Sequence, residues 1–184
     1  MGKIYIVRHG QDTDNVLGVL NGHRDTELSE LGKAQAEKTA EVLAGKNISV
    51  IFSSPLSRAR ETAHRIKHRM GNVPIIIDRM LIERDFGELT GKLVADIPKL
   101  ATKTVHVRKF HFALEGPGIE TFEQARARAK EFLKIMKWLY SWQNIAIVTH
   151  GDMAQMFFAE YNNLSVMDAL NLPYLGNAEF FELG

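Results

Sequence analysis

Two histidines, each placed between a short apolar run and a glycine, are the residues of this sequence best suited to chemistry. His9 follows the run Ile4–Val7 and Arg8, and His150 comes two residues after the run Ile145–Val148. A buried strand that ends in such residues delivers them to the rim of a sheet, where open α/β folds bind ligands. Arg8 disfavours protonation of the adjacent imidazole, so the His9 ring stays neutral and nucleophilic near neutral pH. We therefore expect the two segments to form two halves of one site.

Other residues indicate that this site binds an anion. Arg58 lies in the predicted first turn of a helix, where free N–H groups already favour an anion, and a cation there is unfavourable unless an anion binds. The N–H groups of Gly151 and Asp152 open another helix in the same way. Glu83 is ordinary by its spacing, but a site with two histidines and two arginines needs a proton donor, which a buried carboxyl group provides. Structural histidines and a solvated Arg58 are the alternatives to this interpretation.

The pattern of apolar residues predicts the elements that position these side chains. Strands are predicted at 4–7, 49–52, 73–77, 144–148 and 178–183. Helices are predicted from Ser29 to about 43, from Pro55 (with Ser54 as N-cap) to about 71, and at 120–140, 152–161 and 166–170. Residues 10–25 predict a loop, residues 80–89 an irregular or short-strand segment, and residues 92–112 have no clean period.

Strands that alternate with helices predict an α/β fold, here a three-layer α/β/α sandwich around a largely parallel, mixed sheet. The length of 184 residues suits one domain, 1–184, with a small insertion at about 90–118 over the C-terminal rim of the sheet. The insertion is rich in basic residues, which either receive a second negative group of the ligand or form a solvated loop surface. These residues are Lys92, Lys99, Lys103, Arg108 and Lys109.

The composition argues against several classes of function. The formal net charge of +1 gives no general attraction to nucleic acid or acidic membranes, and there is no basic stripe with interleaved aromatic residues. The absence of cysteine removes disulfides, zinc–thiolate sites and thiol nucleophiles. No apolar run approaches the roughly 20 residues of a membrane span. We expect a cytoplasmic protein that binds neither nucleic acid nor membrane, and we leave open whether it is a monomer or a homodimer.

Five segments, in this order along the chain, resemble the motifs of the histidine phosphatase superfamily, also called the phosphoglycerate-mutase-like family. They are Arg8-His9-Gly10 with Asn15, Gly22–Gly32, Ser53–Ala63, Glu83–Gly87 and Thr149–Gly151. The resemblance covers almost the whole chain, and it implies that the nucleophile that becomes phosphorylated is His9. It also implies that the phosphate pocket consists of Arg8, Arg58 and His150, and that the general acid and base is Glu83.

The resemblance further implies which residues contact the substrate, namely Gln11, Asn15, Asn21 and Gly22. It implies no metal ion or other cofactor, because two arginines and a histidine can hold the charge of the phosphoryl group. One position departs from the family pattern, since Asp12 stands where the family usually has a hydroxyl residue. A carboxylate near a phosphate is repulsive unless it points away or pairs with a cation.

The family contains both phosphatases and mutases. Mutases of the family carry a longer insertion and a C-terminal tail that shield the phosphoenzyme from water, whereas this sequence ends at Gly184, directly after its last predicted strand. We therefore expect a phosphatase of small phosphomonoesters, such as sugar phosphates or phosphoglycerate-like acids, with a phosphoglycerate mutase as the alternative. A metal-dependent hydrolase built on His64 and His68 and a non-catalytic phosphate-binding module are two further alternatives.

Overall fold

The computed structural model describes residues 2–184, in which strands and helices alternate along most of the chain. The strands are β1 (Ile4–Arg8), β2 (Ile48–Ser53), β3 (Ile75–Ile77), β4 (Lys103–Val107), β5 (Phe110–Glu115), β6 (Asn144–Thr149) and β7 (Phe180–Leu183). The α-helices are α1 (Thr13–Leu17), α2 (Glu30–Leu43), α3 (Ser57–Met70), α4 (Ile97–Leu100), α5 (Phe122–Leu139), α6 (Gly151–Tyr161) and α7 (Val166–Leu170). Single 3₁₀ turns at 79–81 and 87–89 fall in the segment that was predicted to be irregular.

The central sheet brings the two histidine-containing segments side by side. Its strand order is β3-β2-β6-β1-β7, and the neighbouring strands are parallel except for β1 and β7. Strand β1 pairs with β6 in a register that places Arg8 beside Thr149. The residues that follow, His9 and His150, therefore leave the sheet at the same rim. The prediction of an α/β fold with a largely parallel, mixed sheet is confirmed.

Alternate residues of the strands pack on opposite faces of the sheet. Ile6 and Ile147 belong to one buried core that includes helices α5 and α6. Tyr5 and Val148 belong to a second core that includes helices α2 and α3. Helices thus cover both faces, and the sheet is the middle one of three layers. Strands buried on both faces form nearly continuous apolar runs, which is why the sequence pattern located them.

The predicted loop at 10–25 is wrong in one part, because it contains helix α1. The Asp12 carboxylate accepts a hydrogen bond from the N–H of Asn15, 2.7 Å away, and the Asn15 side chain accepts one from the N–H of Asp12. This reciprocal pair is a capping box that starts the helix. Asp and Asn favour both turns and helix N-caps, so the composition of this segment did not distinguish the two.

Helix α3 begins two residues later than predicted. Its N-cap is Leu56, and Pro55 lies before the first turn. The Ser54 hydroxyl accepts a hydrogen bond from the N–H of Leu56 at 3.3 Å, and it also lies 2.7 Å from Nε2 of His150. The Ser54 side chain therefore contacts the second histidine and is not the N-cap of the helix.

The insertion, for which the sequence predicted no elements, contains helix α4 and a hairpin of β4 and β5. The hairpin pairs His106 with His111 on either side of a turn formed by Arg108 and Lys109. Arg108 adopts a φ of 55°, a conformation that glycine or asparagine more often occupies at such turns. The turn therefore carries no sequence signal, which is why the hairpin was missed.

A small separate core attaches the insertion to the rest of the molecule. It contains Ile97 and Ala113 of the insertion together with Phe86, Leu89 and Ile119, which flank it. This core holds the insertion next to the 3₁₀ turn that follows Glu83. Within the described residues, no helix combines the length and the apolar character that crossing a bilayer requires.

Candidate active site

One ring nitrogen of His9 is fixed by the backbone. Its Nδ1 lies 2.7 Å from the carbonyl oxygen of Gly10, which can only accept a hydrogen bond. Nδ1 therefore carries the proton, and Nε2 keeps its lone pair. Burial, followed by the charges of Arg58 and Arg8, holds the pKa of His9 well below its ordinary value. A neutral imidazole with a free Nε2 is suited to nucleophilic attack.

His150 lies beside His9, and its neighbour Ser54 sets its tautomer. The centroids of the two imidazole rings are 5.0 Å apart. The Ser54 hydroxyl accepts from the N–H of Leu56, and among residues 2–184 the acceptor within reach of its own proton is Nε2 of His150, 2.7 Å away. Nδ1 of His150 then carries the ring proton, and this buried atom has no hydrogen-bond partner in the described residues. Burial, followed by the charge of Arg58, lowers the pKa of His150, so the ring is a neutral donor.

Arg58 is fully buried, and its guanidinium is held by two backbone carbonyl groups. Nη1 donates to the carbonyl of Arg24 at 2.7 Å, and Nη2 donates to that of Gly22 at 2.8 Å. Nε lies 3.2 Å from Oδ2 of Asp12, close enough for an ion pair although the two atoms are not aligned as a hydrogen bond. Asp12 is itself fully buried and accepts a further hydrogen bond from Asn21. Asp12, the residue that departs from the family pattern, thus provides a carboxylate that pairs with a cation.

Arg8 adds a second cation to the rim. Its Nη1 donates to the carbonyl of Leu175 at 2.7 Å, and its guanidinium carbon lies 5.3 Å from the ring centroid of Tyr174. Nε of Arg8 is buried and, like Nδ1 of His150, has no hydrogen-bond partner among residues 2–184. Buried N–H groups in folded proteins are nearly always paired. Two such donors beside a neutral nucleophile indicate a site that takes an anion.

Glu83 supplies a carboxyl group with a perturbed pKa. Its Oε1 accepts hydrogen bonds from the N–H groups of Arg84 at 2.8 Å and Met153 at 3.3 Å. Burial, followed by the negative charge of Asp152, raises the pKa of Glu83 to about 7. Both protonation states are therefore present near neutral pH, as a group that acts first as an acid and then as a base requires.

A buried ion pair stands beside Glu83. Nε of Arg84 donates to Oδ2 of Asp152 at 2.9 Å, and the hydroxyl of Tyr174 donates to Oδ1 at 2.7 Å. Both carboxylate oxygens of Asp152 are thus engaged by protein groups. Asp152 raises the pKa of Glu83 through its charge, and its side chain is not free to bind a ligand cation.

The predicted site residues collect around a cleft of about 180 Å³. Arg8, His9 and Glu83 line the cleft, whereas Arg58 and His150 are fully buried and join it through the contacts described above. We call these five residues the anion end of the cleft. These five residues, which the sequence predicted to share one site, thus lie together at the rim of the sheet.

The predicted substrate contacts divide into two groups. Asn15, Asn21 and Asp152 line the cleft. Gln11 does not, because its side chain accepts a hydrogen bond from the serine that caps helix α2, at 2.9 Å. Gly22 acts through its carbonyl on the buried guanidinium, and a Cβ at Gly151 would collide with the hydroxyl of Tyr174. These two positions therefore pack the site and do not line it.

Three residues of the site were missed by sequence reasoning. Ser54 was read as a helix cap, although it orients the second histidine. Arg84 lies within the motif Glu83–Gly87 but was given no role, and nothing in its spacing indicated a buried ion pair. Tyr174 lies between helix α7 and strand β7 in a stretch without periodicity, so only the tertiary structure places it beside the cleft.

The alternative metal site has no ligand set in the part of the chain that the structure describes. His64 and His68 are exposed on helix α3, and Arg65 between them forms ion pairs with Glu37 and Glu61 at 2.8 and 2.9 Å. Among residues 2–184, no group of three or more histidine, aspartate or glutamate side chains is arranged to hold a metal ion.

The fold and the site together define an α/β protein with two histidines, two arginines and a glutamate clustered at the carboxyl rim of its sheet. The model of the histidine phosphatase superfamily (branch 1) matches residues 4–184. The chain therefore belongs to the histidine phosphatase superfamily, as its motifs suggested.

Relatives of the chain carry both phosphatase and mutase names. A protein of Hydrogenobacter thermophilus named "Putative phosphoserine phosphatase 2" is 30% identical over 185 residues, covering 100% of this chain and 89% of that protein. A 2,3-bisphosphoglycerate-dependent phosphoglycerate mutase of Gloeobacter violaceus is 32% identical over 90% of this chain and 78% of its own length. Among solved structures, a mycobacterial glucosyl-3-phosphoglycerate phosphatase complexed with VO3 is 27% identical, with a TM-score of 0.85 over 99% of this chain and 90% of that one.

Proposed function

We propose that this protein is a phosphatase that hydrolyses small phosphomonoesters through a phosphohistidine at His9, without a metal ion. The observation that carries the proposal is the arrangement around the free Nε2 of His9. Two buried and unpartnered donors, Nε of Arg8 and Nδ1 of His150, accompany a protonatable Glu83 at the same rim. Phosphoryl transfer depends mainly on such positioning and charge stabilisation.

The first step transfers the phosphoryl group to the protein. Nε2 of His9 attacks the phosphorus atom while the bond from phosphorus to the ester oxygen breaks. Protonated Glu83 gives its proton to the leaving oxygen, so an alcohol departs and a carboxylate remains. Arg8, Arg58 and His150 hold the negative charge of the phosphoryl oxygens, which is a role that arginine serves well because its N–H groups match phosphate geometry.

The second step returns the protein to its starting state. The Glu83 carboxylate takes a proton from a water molecule, whose oxygen attacks the phosphorus atom of phosphohistidine. The nitrogen–phosphorus bond breaks, inorganic phosphate leaves, and His9 and Glu83 have regained their initial protonation states. A pKa near neutrality allows one carboxyl group to serve both steps.

The mutase reading remains the alternative, because relatives carry both names. A phosphoglycerate mutase must hold the carboxylate of its substrate in addition to the phosphate. The remaining arginine of the cleft, Arg84, already donates to Asp152 and to the carbonyl of Glu120. This engagement favours hydrolysis. Within the same proposal the substrate is a small phosphorylated molecule, and the cysteine-free composition supports a cytoplasmic location.

The test compares the purified protein with its His9→Ala variant on an aryl phosphate. We expect steady phosphate release that a chelator leaves unchanged, and a phosphorylated protein that survives base and loses its label in acid. His9→Ala should lower kcat by roughly a thousandfold or more and abolish the label, because the nucleophile is removed. His68→Ala, which removes an exposed histidine of helix α3, is the matched control and should retain full activity.

Three outcomes would contradict the proposal. Undiminished turnover by the His9→Ala variant would show that His9 is not the nucleophile. Phosphoglycerate isomerisation that depends on a bisphosphate and releases no phosphate would establish the mutase alternative. Phosphate binding without turnover of any ester would establish the alternative of a non-catalytic phosphate-binding module.

A further inference from the structure

The side of the cleft that the insertion forms is mostly apolar. One lining residue of the insertion is polar, namely His111, whose ring stacks on that of His106 with the centroids 4.2 Å apart. The other five are apolar, namely Val94, Ile97, Phe110, Phe112 and Ala113. We call them the apolar wall. They come from a 3₁₀ turn, helix α4 and strand β5, so three separate elements contribute to one surface.

Tyr174 joins the apolar wall to the anion end. Its ring centroid lies 5.0 Å from that of Phe110 and 5.8 Å from that of Phe112, and the guanidinium carbon of Arg8 lies 5.3 Å from it. The hydrogen bond from its hydroxyl to Asp152 fixes the ring in this place. A ligand whose phosphate reaches Arg8 therefore meets aromatic surface directly beyond the phosphate.

The basic side chains that were predicted to receive a second negative group do not face the cleft. Lys99 pairs with Asp96 at 3.5 Å, and Lys103 pairs with Glu115 at 3.1 Å, on exposed surfaces. The lysines and arginines that line the cleft, over residues 2–184, are Arg8 and Arg84.

Arg84 is already engaged by other groups of the protein. Its side chain is fully buried, its Nε and Nη1 donate to Asp152 and to the carbonyl of Glu120, and its guanidinium carbon lies 3.9 Å from the ring centroid of Phe122. The acidic lining residues Glu83 and Asp152 add no positive charge to the cleft. A carboxylate placed against the apolar wall would lose its hydration without gaining a lysine or arginine partner, which is costly.

We propose that the preferred substrate is the phosphate ester of an apolar, ring-containing alcohol that carries no second negative group. The inference rests on the proposed function, and it names the substrate class for that same site. It separates this chain from relatives named for phosphoserine and for phosphoglycerates, in which the ester group also carries a carboxylate. The ring packs against the apolar wall and Tyr174 while the phosphate meets His9.

The test measures kcat/KM for phenethyl phosphate and for 3-phosphoglycerate. Both are esters of primary alcohols, so the leaving groups differ mainly in the apolar ring and the carboxylate. We expect the phenethyl ester to be preferred by roughly tenfold or more, because an apolar ring gains from burial and an unpaired carboxylate loses. Methyl phosphate, which has neither group, should have a lower kcat/KM than the phenethyl ester.

A matched pair of variants locates the preference in the apolar wall. Val94 lines the cleft and its neighbour Leu93 does not, although both side chains are 40% or more exposed and tolerate a charge. Val94→Arg supplies the missing cation and should lower the preference by roughly tenfold, chiefly through a lower KM for 3-phosphoglycerate. Leu93→Arg should leave the preference unchanged.

The possible failures are distinguishable. Equal or faster turnover of 3-phosphoglycerate by the unaltered protein would overturn the inference and leave the proposed function standing. An equal change of preference in Leu93→Arg and Val94→Arg would also overturn it, since the apolar wall would then not be the determinant. If neither ester is turned over above the background of His9→Ala while the aryl phosphate is, the inference alone is overturned. If the aryl phosphate is not turned over either, the proposed function fails and the inference falls with it.

Discussion

The anion end and the apolar wall differ in how they are built and in what holds them. The anion end comes from residues near the carboxyl ends of parallel strands, and its members His9, Arg58 and His150 are almost completely buried among polar partners. The apolar wall comes from the insertion between strand β3 and helix α5, and Val94 within it is 40% exposed. In the proposed reaction the central sheet thus provides the reactive groups, whereas the insertion provides the surface against which the rest of the substrate lies.

Because of this difference, we expect the anion end to determine the rate of cleavage and the apolar wall to determine the selectivity for the substrate. Arg58, Asp12 and Glu83 are ionisable groups withdrawn from water, which is costly unless partners compensate, so any change there disturbs a network of paired charges. The apolar wall gains stability from burial alone and tolerates changes of side chain more readily. Substitutions at the anion end should therefore alter how fast any ester is cleaved, and those at the apolar wall should alter which ester is cleaved.

The largest expected effect tests whether Glu83 serves the chemical step itself. Glu83→Gln should lower kcat/KM for phenethyl phosphate by roughly a thousandfold, because the leaving alcohol is then not protonated. For dinitrophenyl phosphate, whose leaving group needs no proton, the loss should be roughly tenfold or less. Glu88→Gln, on the exposed 3₁₀ turn that follows, is the control and should match the unaltered protein.

The relevant measurement is kcat/KM for both esters across neutral pH. An alkaline decline with a pKa of about 7 should accompany the phenethyl ester only, since that ester needs protonated Glu83. An equal loss for both esters would show that Glu83 acts elsewhere than on the leaving oxygen, and the contrast between the anion end and the apolar wall would then need revision.

The second prediction concerns the stability cost of the anion end. The pKa of Glu83 is raised from its ordinary value of 4.5 to about 7, so the unfolded chain releases this proton at a lower pH than the folded chain. The free energy of unfolding therefore falls as the pH rises through this interval, and it levels off above about 7. The shift corresponds to a contribution of about 3 kcal/mol at most.

Glu83→Gln removes this titration. The free energy of unfolding of the variant, relative to that of the unaltered protein, should increase by up to about 3 kcal/mol as the pH rises from about 4 to about 8. Denaturant unfolding at both pH values provides the measurement. His9 and His150, whose pKa values are lowered, titrate in both proteins and cancel in this comparison. A difference that does not change with pH would contradict the assigned environment of Glu83.

The sequence predicted that the residues of the anion end lie close together, because this grouping follows from residue types at strand ends. The apolar runs before His9 and His150 identified buried parallel strands, and the parallel arrangement put both histidines at one rim. The tautomer of His150 was not predictable, because it depends on Ser54, which is 96 residues away in the sequence. The pairing of Asp12 with Arg58 was likewise not predictable, because it depends on the tertiary structure.

The apolar wall was not predicted, for reasons that are equally physical. Strands β4 and β5 form a two-stranded sheet whose turn lacks the glycine or asparagine that usually identifies a hairpin. Phe110 and Phe112 alternate with His111, and such a short run does not distinguish a strand from irregular structure. The five lysines and arginines dominated the composition of this segment, although none of them lines the cleft.

The smallest expected effect concerns those basic residues. Lys103 and Lys109 are exposed on the hairpin, and Lys109 lies over the ring of Phe110 at 5.4 Å from its centroid without lining the cleft. Exchanging both for glutamine should change kcat/KM for 3-phosphoglycerate by about twofold or less, because exposed charges outside a site are screened by solvent. Kinetics at low and at physiological ionic strength provide the measurement. A loss of tenfold or more that is confined to 3-phosphoglycerate would mean that the hairpin receives the carboxylate, and the apolar wall would no longer be the surface that selects the substrate.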